Sequence, residues 1–317
     1  MILALLALLA GMVLLVWAGD RFVAGASRLA TALRMRPAVI GAVVLGFGTS
    51  APEMVVSSVA SINGNPALGV GNIVGSNVAN LSLGLGVAAL LMSIPFSDIA
   101  LRRDVPWSVA TAAIFALLVV DGHLSRLEGG LLAVLLALTL VWVIRTSRDD
   151  DRLPDSGGTP GSLARDAGAA WRNLARAVLG LFGVIVGAQL AVEGATALAE
   201  RWGLSGGFIG FSVVAVGTSL PELATVVAAA RKGHTELIVG NLFGSNVFNS
   251  LAVGGAMGLV GAGAIEDPSL TGLGIGAMMA VVVLAYLGAL IGKKASRIDG
   301  VVLLGIYIAA MILLGTR

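Results

Sequence analysis

Two glutamates inside long apolar stretches carry the strongest chemical signal in this sequence. Glu53 ends the run Gly-Thr-Ser-Ala-Pro-Glu, and Glu222 ends the run Gly-Thr-Ser-Leu-Pro-Glu, 169 residues later. No Lys or Arg occurs in either stretch (38–61 and 207–229) to pair with the carboxylate. Because an unpaired charge deep in a bilayer costs several kcal/mol, we expect a proton or a bound cation to neutralise each glutamate.

Oxygen-bearing side chains around both glutamates favour a cation over a proton. Hard cations such as Ca²⁺ and Na⁺ take oxygen ligands, and Ca²⁺ takes about six to eight of them. Neither stretch contains His or Cys, which argues against zinc or copper. The candidate oxygen donors of the first copy are Thr49, Ser50, Ser76 and Asn80, and those of the second are Thr218, Ser219, Ser245 and Asn249.

The proline of each motif predicts a broken helix. Proline lacks the backbone donor and clashes with the carbonyl four residues earlier, which belongs to Gly48 for Pro52 and to Gly217 for Pro221. Carbonyls freed at mid-membrane are tolerated where they line a cavity or meet an ion. The motif therefore supplies a carboxylate, hydroxyls and free carbonyls at one depth.

A second block repeats with the same spacing as the first. The segment 71–80, which reads Gly-Asn-Ile-Val-Gly-Ser-Asn-Val-Ala-Asn, corresponds to 240–249, again 169 residues later. A shared offset without insertions indicates a duplicated unit. The pairs Gly71/Gly75 and Gly240/Gly244 predict close packing of these helices against the motif helices.

The elements that carry these residues read as membrane spans. The chain is 57% hydrophobic and 12% charged, against about 25% charged residues in soluble domains. Residues 1–17 lack the basic start of a signal peptide, so we expect the first span to be retained. We predict an all-α integral membrane protein with ten spans, at 2–18, 38–61, 67–92, 105–120, 127–145, 174–198, 207–229, 236–262, 270–291 and 299–316.

The ten spans predict two five-helix repeats of opposite orientation. The first repeat covers 1–145 and the second 174–317, with a hydrophilic linker at 146–173. An odd number of spans per repeat inverts the second copy, which is typical of secondary transporters. All but three of the 20 Lys and Arg residues fall on the face of the linker. Since basic loops stay cytoplasmic, both termini should lie outside. The exceptions are Arg126, Arg201 and Arg317.

The two repeated blocks resemble the paired alpha-repeats of the sodium/calcium exchanger family, in the cation/Ca²⁺ exchanger superfamily. Prokaryotic calcium/sodium antiporters are the most similar in size and plan. The resemblance implies one Ca²⁺ site held by Glu53 and Glu222 with the carbonyls of Thr49 and Thr218. It also implies flanking Na⁺ sites, with Asn80 and Asn249 lining the middle. The Na⁺ ligands would be Ser50, Ser76, Ser219 and Ser245, with carbonyls near Gly46 and Ala215.

One departure from the family pattern concerns charge. Many relatives carry Asp where this chain has Asn249, so the site has two carboxylates, which balance one Ca²⁺ or two Na⁺. The same departure argues against a K⁺-dependent exchanger.

The function expected from these residues is Na⁺/Ca²⁺ antiport by alternating access in the cell (inner) membrane. The alternatives are H⁺/Ca²⁺ exchange at the same glutamates and a passive cation channel. No nucleophile–base pair or cofactor motif predicts an enzyme, and the net charge of +2 predicts no nucleic-acid partner. We expect a monomer whose partners are inorganic cations and the lipid bilayer.

Overall fold

The computed structural model describes residues 1–32, 50–146 and 167–316, and this part of the chain is mostly helical. The helices are α1 (Ile2–Ala32), α2 (Ala51–Ile62), α3 (Pro66–Leu91), α4 (Val105–Val119), α5 (Arg126–Thr146), α6 (Ala167–Trp202), α7 (Gly206–Thr218), α8 (Leu220–Lys232), α9 (Thr235–Gly261), α10 (Leu270–Gly292) and α11 (Arg297–Gly315). A π-helical turn at Ala100–Asp104 directly precedes α4.

Seven helices of the described ranges are long and apolar enough to cross a membrane. They lie in α1, α3, α5, α6, α9, α10 and α11, and the bent pair α7–α8 would make an eighth. The predicted span 38–61 falls partly outside the described residues, and α2 covers its remaining part. The chain is therefore a multi-pass helical membrane protein.

Two helices extend well beyond the spans predicted for them. The predicted span 2–18 becomes α1, which continues to Ala32, and the predicted span 174–198 becomes α6, which begins at Ala167 and ends at Trp202. A hydropathy pattern delimits the apolar part of a helix, whereas hydrogen bonding continues through the polar ends.

The helix break predicted from proline occurs in the second copy. The axes of α7 and α8 differ by 45°, and Ser219 lies between them with φ −86° and ψ 6°. Ser50 has the same φ and ψ immediately before α2. Each proline thus stands in the first turn of a new helix, where its missing N–H is no disadvantage.

The described ranges contain five π-helical turns, of which three lie inside α3, α7 and α9, one begins α10 and one directly precedes α4. One begins at Asn80 within α3, and another begins at Asn249 within α9. Single π turns often mark functional positions, because the added residue rotates the side chains that follow it. Here they coincide with the repeated asparagines, which the hydropathy pattern did not reveal.

Two short strand pairs join the halves of the sequence. Strand β1 (Ile94–Pro95) pairs antiparallel with β4 (Lys294–Ala295), and β2 (His123–Leu124) pairs antiparallel with β3 (Gly263–Ala264). Because β1 and β2 flank α4, the pairs lie at opposite ends of that helix. The loop after α3 therefore lies at the same end of the helices as the loop after α10. The loop after α4 lies at the opposite end, together with the loop after α9.

The apolar core divides into two clusters. The larger cluster involves α3, α4, α9, α10 and α11, and the smaller one joins α1 and α6 to α2. Helices α1 and α6 approach at backbone distance, since a Cβ at Gly11 would lie 2.7 Å from the carbonyl oxygen of Gly187. Small residues at such crossings allow close van der Waals packing in a bilayer.

Candidate cation-binding site

The two motif glutamates lie together in the protein interior. Glu53 and Glu222 are each 1% exposed and stand in the first turns of α2 and α8. The Ser219 hydroxyl donates to Oε1 of Glu53 at 3.2 Å, which links the two sequence motifs directly. Glu222 is also close enough to act electrostatically on Glu53. The duplicated motifs therefore meet at one place.

The local backbone offsets part of the cost of burying these carboxylates. The first turn of a helix carries free N–H groups and the positive end of the helix dipole. Both glutamates occupy such a turn, because the serine–proline break restarts the helix immediately before them. A helix N-terminus contributes only about 1 kcal/mol or less in most settings, so a counter-ion is still needed.

Several of the predicted ligand residues carry buried polar atoms that make no hydrogen bond within the described residues. The hydroxyls of Ser50 and Ser76, the second carboxylate oxygen of Glu53 and both amide atoms of Asn249 belong to this set. All four residues are at most 2% exposed. Buried polar atoms are almost always paired, so the unpaired oxygens of these residues are suited to a cation.

The repeated asparagines form a hydrogen-bonded network between the two halves. The Asn80 amide donates to Oδ1 of Asn246 at 3.0 Å, and the Asn246 amide donates to the carbonyl of Asn77 at 3.2 Å. The Asn77 amide donates in turn to Ser250 Oγ at 3.2 Å. Asn80 is thus oriented by a residue of the other repeat, whereas Asn249 has no such partner among the described residues.

The remaining predicted ligands are placed as follows. Ala215 and Thr218 are buried on α7, and the carbonyl of Ala215 accepts from the Ser219 N–H at 3.0 Å and lies 3.3 Å from the Thr218 hydroxyl oxygen. Ser245 is buried on α9. Gly46 and Thr49 lie outside the described residues.

Sequence reasoning missed three buried asparagines at the site, namely Asn72, Asn77 and Asn246. None of them has any exposed surface. The signal was present, because Asn72 and Asn77 recur as Asn241 and Asn246 at the common offset of 169 residues. The repeated glycines of the same block predict close packing, whereas these asparagines were not predicted as site residues.

The predicted close packing at Gly71 and Gly75 is present, and its partner is the motif helix α7 of the other repeat. A Cβ at either position would collide with backbone oxygens of α7, at Gly207 and Phe211 respectively. No described atom lies within 4 Å of a Cβ placed at Gly240 or Gly244. The segment that would correspond to α7 falls in 33–49, outside the described residues.

A narrow crevice between α3, α8 and α9 touches the site. The buried Asn80 and Ser219 and the partly exposed Leu83 and Leu223 line it. The other lining residues are Ala79, Gly84, Val216 and Leu242.

The donor set of this site is suited to a hard cation. Within the described ranges, no three His, Cys, Asp or Glu side chains cluster. The charge of the site therefore comes from two carboxylates, and the other donors are neutral oxygens. Such a set matches Ca²⁺ or Na⁺ and does not match soft metals.

The fold and the site define a polytopic helical membrane protein with a buried, two-carboxylate centre built from a repeated motif. A family model described as "Sodium/calcium exchanger protein" matches residues 3–145 and 173–315. The chain belongs to the sodium/calcium exchanger family, as the repeated motifs indicated.

Curated relatives from bacteria and archaea match along most of the chain. The "Putative antiporter CaxA" of Alkalimonas amylolytica is 35% identical over 99% of both chains. The "Sodium/calcium exchanger MaX1" of Methanosarcina acetivorans is 33% identical over 98% of this chain and 97% of its own. The "Inner membrane protein YrbG" of Escherichia coli strain K12 is 36% identical over 84% of this chain and 82% of its own.

Solved structures of the sodium-calcium exchanger NCX_Mj are similar to this chain throughout. The structure from a crystal soaked with Na⁺ and Ca²⁺ has 30% sequence identity and a TM-score of 0.65. The alignment covers 98% of each chain.

Proposed function

We propose that this protein is a secondary antiporter that exchanges Na⁺ for Ca²⁺ at the site between Glu53 and Glu222. The observation that carries the proposal is the buried contact between Ser219 of one repeat and Glu53 of the other. Two carboxylates balance one Ca²⁺ or two Na⁺, so the two ions compete for one set of oxygens. The similarity to proteins named as sodium/calcium exchangers supports this choice of ions.

Coupling follows from the cost of an empty site. Without an ion, two carboxylates would face each other in a medium that solvates charge poorly, and this state should cross slowly between the two sides of the membrane. An ion-loaded site is neutral or nearly so and crosses more easily. Exchange is then obligatory and needs no ATP.

The proposed topology has ten spans in two inverted repeats, with both termini outside. The strand pairs support it, because β1 and β4 belong to loops of the basic face, which carry Arg102 and Arg103 after α3 and Lys293 after α10. The pair β2–β3 joins two loops assigned to the other face. The proposed units are 1–145, the cytoplasmic linker 146–173, and 174–317.

Helices α1 and α6 are the proposed moving part of alternating access. They share a core cluster separate from the larger one, and they pack against each other through glycines. One of them comes from each repeat, so a sliding motion of the pair would open the site on alternate sides. Bistable packing between rigid elements is a common basis for such transitions.

The proposed setting is the inner membrane of a cell, where a monomer would extrude Ca²⁺ against an inward Na⁺ gradient. The relative YrbG is named as an inner membrane protein, which supports this location. The proposal involves no cofactor, only the transported cations.

Ca²⁺ uptake into proteoliposomes tests the coupling ion. Purified protein is reconstituted, and uptake of radioactive Ca²⁺ is followed at equal pH on both sides, with Na⁺ inside and no Na⁺ outside. We expect uptake well above that of vesicles with Na⁺ on both sides. Protein-free vesicles provide the background.

Two other conditions identify the rival functions. Uptake that follows an imposed pH gradient in the absence of Na⁺ would replace Na⁺ coupling with H⁺/Ca²⁺ exchange. Downhill Ca²⁺ entry that needs no counter-ion would identify a passive channel. Either result would overturn the proposal.

A further inference from the structure

Asn72 connects the two motif helices at a position that no predicted ligand occupies. Its amide nitrogen donates to the backbone carbonyl of Glu53 at 3.3 Å and to Ser57 Oγ at 3.0 Å. Its amide oxygen accepts from the Thr218 hydroxyl at 3.1 Å. Asn72 has no exposed surface, so water does not compete for these bonds.

The Thr218 hydroxyl has one proton and more than one possible acceptor. Besides Asn72, the carbonyl oxygen of Ala215 lies 3.3 Å away, in the back-bonding arrangement common for threonine in helices. This carbonyl belongs to the proposed ion ligands, whereas the Asn72 amide oxygen does not.

We propose that Asn72 is a positioning residue that holds the Thr218 hydroxyl proton away from the oxygens that bind the transported ion. An oxygen that accepts a proton donor has less electron density to offer a cation. If Asn72 is removed, the proton turns to the carbonyl oxygen of Ala215, a proposed Na⁺ ligand, and competes with Na⁺ for it. The inference rests on the proposed function, because it assumes that these oxygens bind Na⁺ and Ca²⁺.

The two repeats differ beside this asparagine. At the common offset, Ser57 corresponds to Val226, and Asn72 corresponds to Asn241. The amide nitrogen of Asn241 makes no hydrogen bond within the described residues, in agreement with the loss of the serine hydroxyl. The counterpart of Thr218 is Thr49, which lies outside the described residues, so the inference concerns Asn72 alone.

The test measures ion binding in detergent, without transport. Equilibrium binding of radioactive Ca²⁺ is displaced with increasing Na⁺ for the wild type, Asn72→Ala, Thr218→Val and the double variant. Loss of one neutral hydrogen bond corresponds to about 1 kcal/mol, so the displacement curve of Asn72→Ala should give an overall Na⁺ binding constant about fivefold lower than that of the wild type. In the Thr218→Val background, which has no hydroxyl proton to misplace, the same change should alter this constant less than about twofold.

The control variant is Ser57→Val, which copies the second repeat and keeps the bond between Asn72 and Thr218. Its overall Na⁺ binding constant should stay within about twofold of the wild-type value. Asn72→Leu fills the side-chain volume and serves if Asn72→Ala does not yield monodisperse protein. Failure of both variants to fold would assign Asn72 to folding alone and overturn the inference.

Equal shifts in both backgrounds, or no shift from Asn72→Ala, would also overturn the inference and leave the proposed function intact. A wild-type protein that binds no Ca²⁺, or whose Ca²⁺ is not displaced by Na⁺, would instead refute the proposed function. The two failures are therefore distinguishable in one experiment.

Discussion

Replacing Glu53 with glutamine tests the charge of the site while keeping its shape. Glu53→Gln retains an oxygen that can accept from the Ser219 hydroxyl. Two unit charges about 4 Å apart attract by about 4 kcal/mol at an effective dielectric of about 20, so a divalent ion loses about 8 kcal/mol of attraction. Part of this returns, because the variant no longer holds two buried carboxylates within electrostatic range.

If half of that attraction is lost in net terms, the expected penalty is about 4 kcal/mol, or about a thousandfold in Ca²⁺ affinity. Equilibrium binding of radioactive Ca²⁺ to protein in detergent measures this directly. Uptake into proteoliposomes under a Na⁺ gradient should fall to background at the same time. Glu222→Gln should behave in the same way.

The matched control is Glu193→Gln on α6. Glu193 accepts from Gln189 at 2.6 Å at an exposed position away from the motifs, so its neutralisation should leave Ca²⁺ binding within about twofold. Ca²⁺ affinity within about tenfold of the wild type in both Glu53→Gln and Glu222→Gln would refute the two-carboxylate site.

Three further predictions address packing, charge and topology. A Cβ at Gly129 would lie 2.7 Å from backbone atoms of α9, whereas one at Gly130 meets no described atom within 4 Å. Thermal unfolding in detergent should therefore show Gly129→Ala destabilised by about 1–3 kcal/mol and Gly130→Ala unaffected or slightly stabilised. Asn249→Asp adds a third carboxylate, so Ca²⁺ binding should tighten about tenfold at alkaline pH and weaken as pH falls, because protonation removes the charge. The chain has no cysteine, so Asn63→Cys and His234→Cys can be labelled with an impermeant thiol reagent, and labelling from the same face would contradict inverted repeats.

The sequence predicted the positions of individual helices well where apolar residues end abruptly. The predicted span 67–92 is observed as Pro66–Leu91, and 127–145 lies within Arg126–Thr146. Helix ends outside the apolar region were missed, as for α1, because hydropathy does not report hydrogen bonding. The two-residue strands were missed because so short an element has no detectable period.

Repetition shows which residues of the two copies correspond. The common offset indicates a duplicated unit, and in the structure the Ser219 hydroxyl of the second copy contacts Glu53 of the first. The contacts between different positions of the two blocks, such as Asn80 with Asn246, depend on how the helices cross and on the π turns. Neither feature is encoded in spacing alone, so the asparagine network could be found only from coordinates.

The asparagine network constrains how the protein is made. The side chains of Asn77 and Asn80 bond to Ser250 and Asn246, which lie far later in the chain. Synthesis delivers α3 to the membrane long before α9, so these amides arrive in lipid before their final partners exist. The early helices must therefore be sheltered by water, lipid head groups or the insertion machinery until α9 arrives, and a nascent chain that stops short of α9 should be a substrate for membrane proteases.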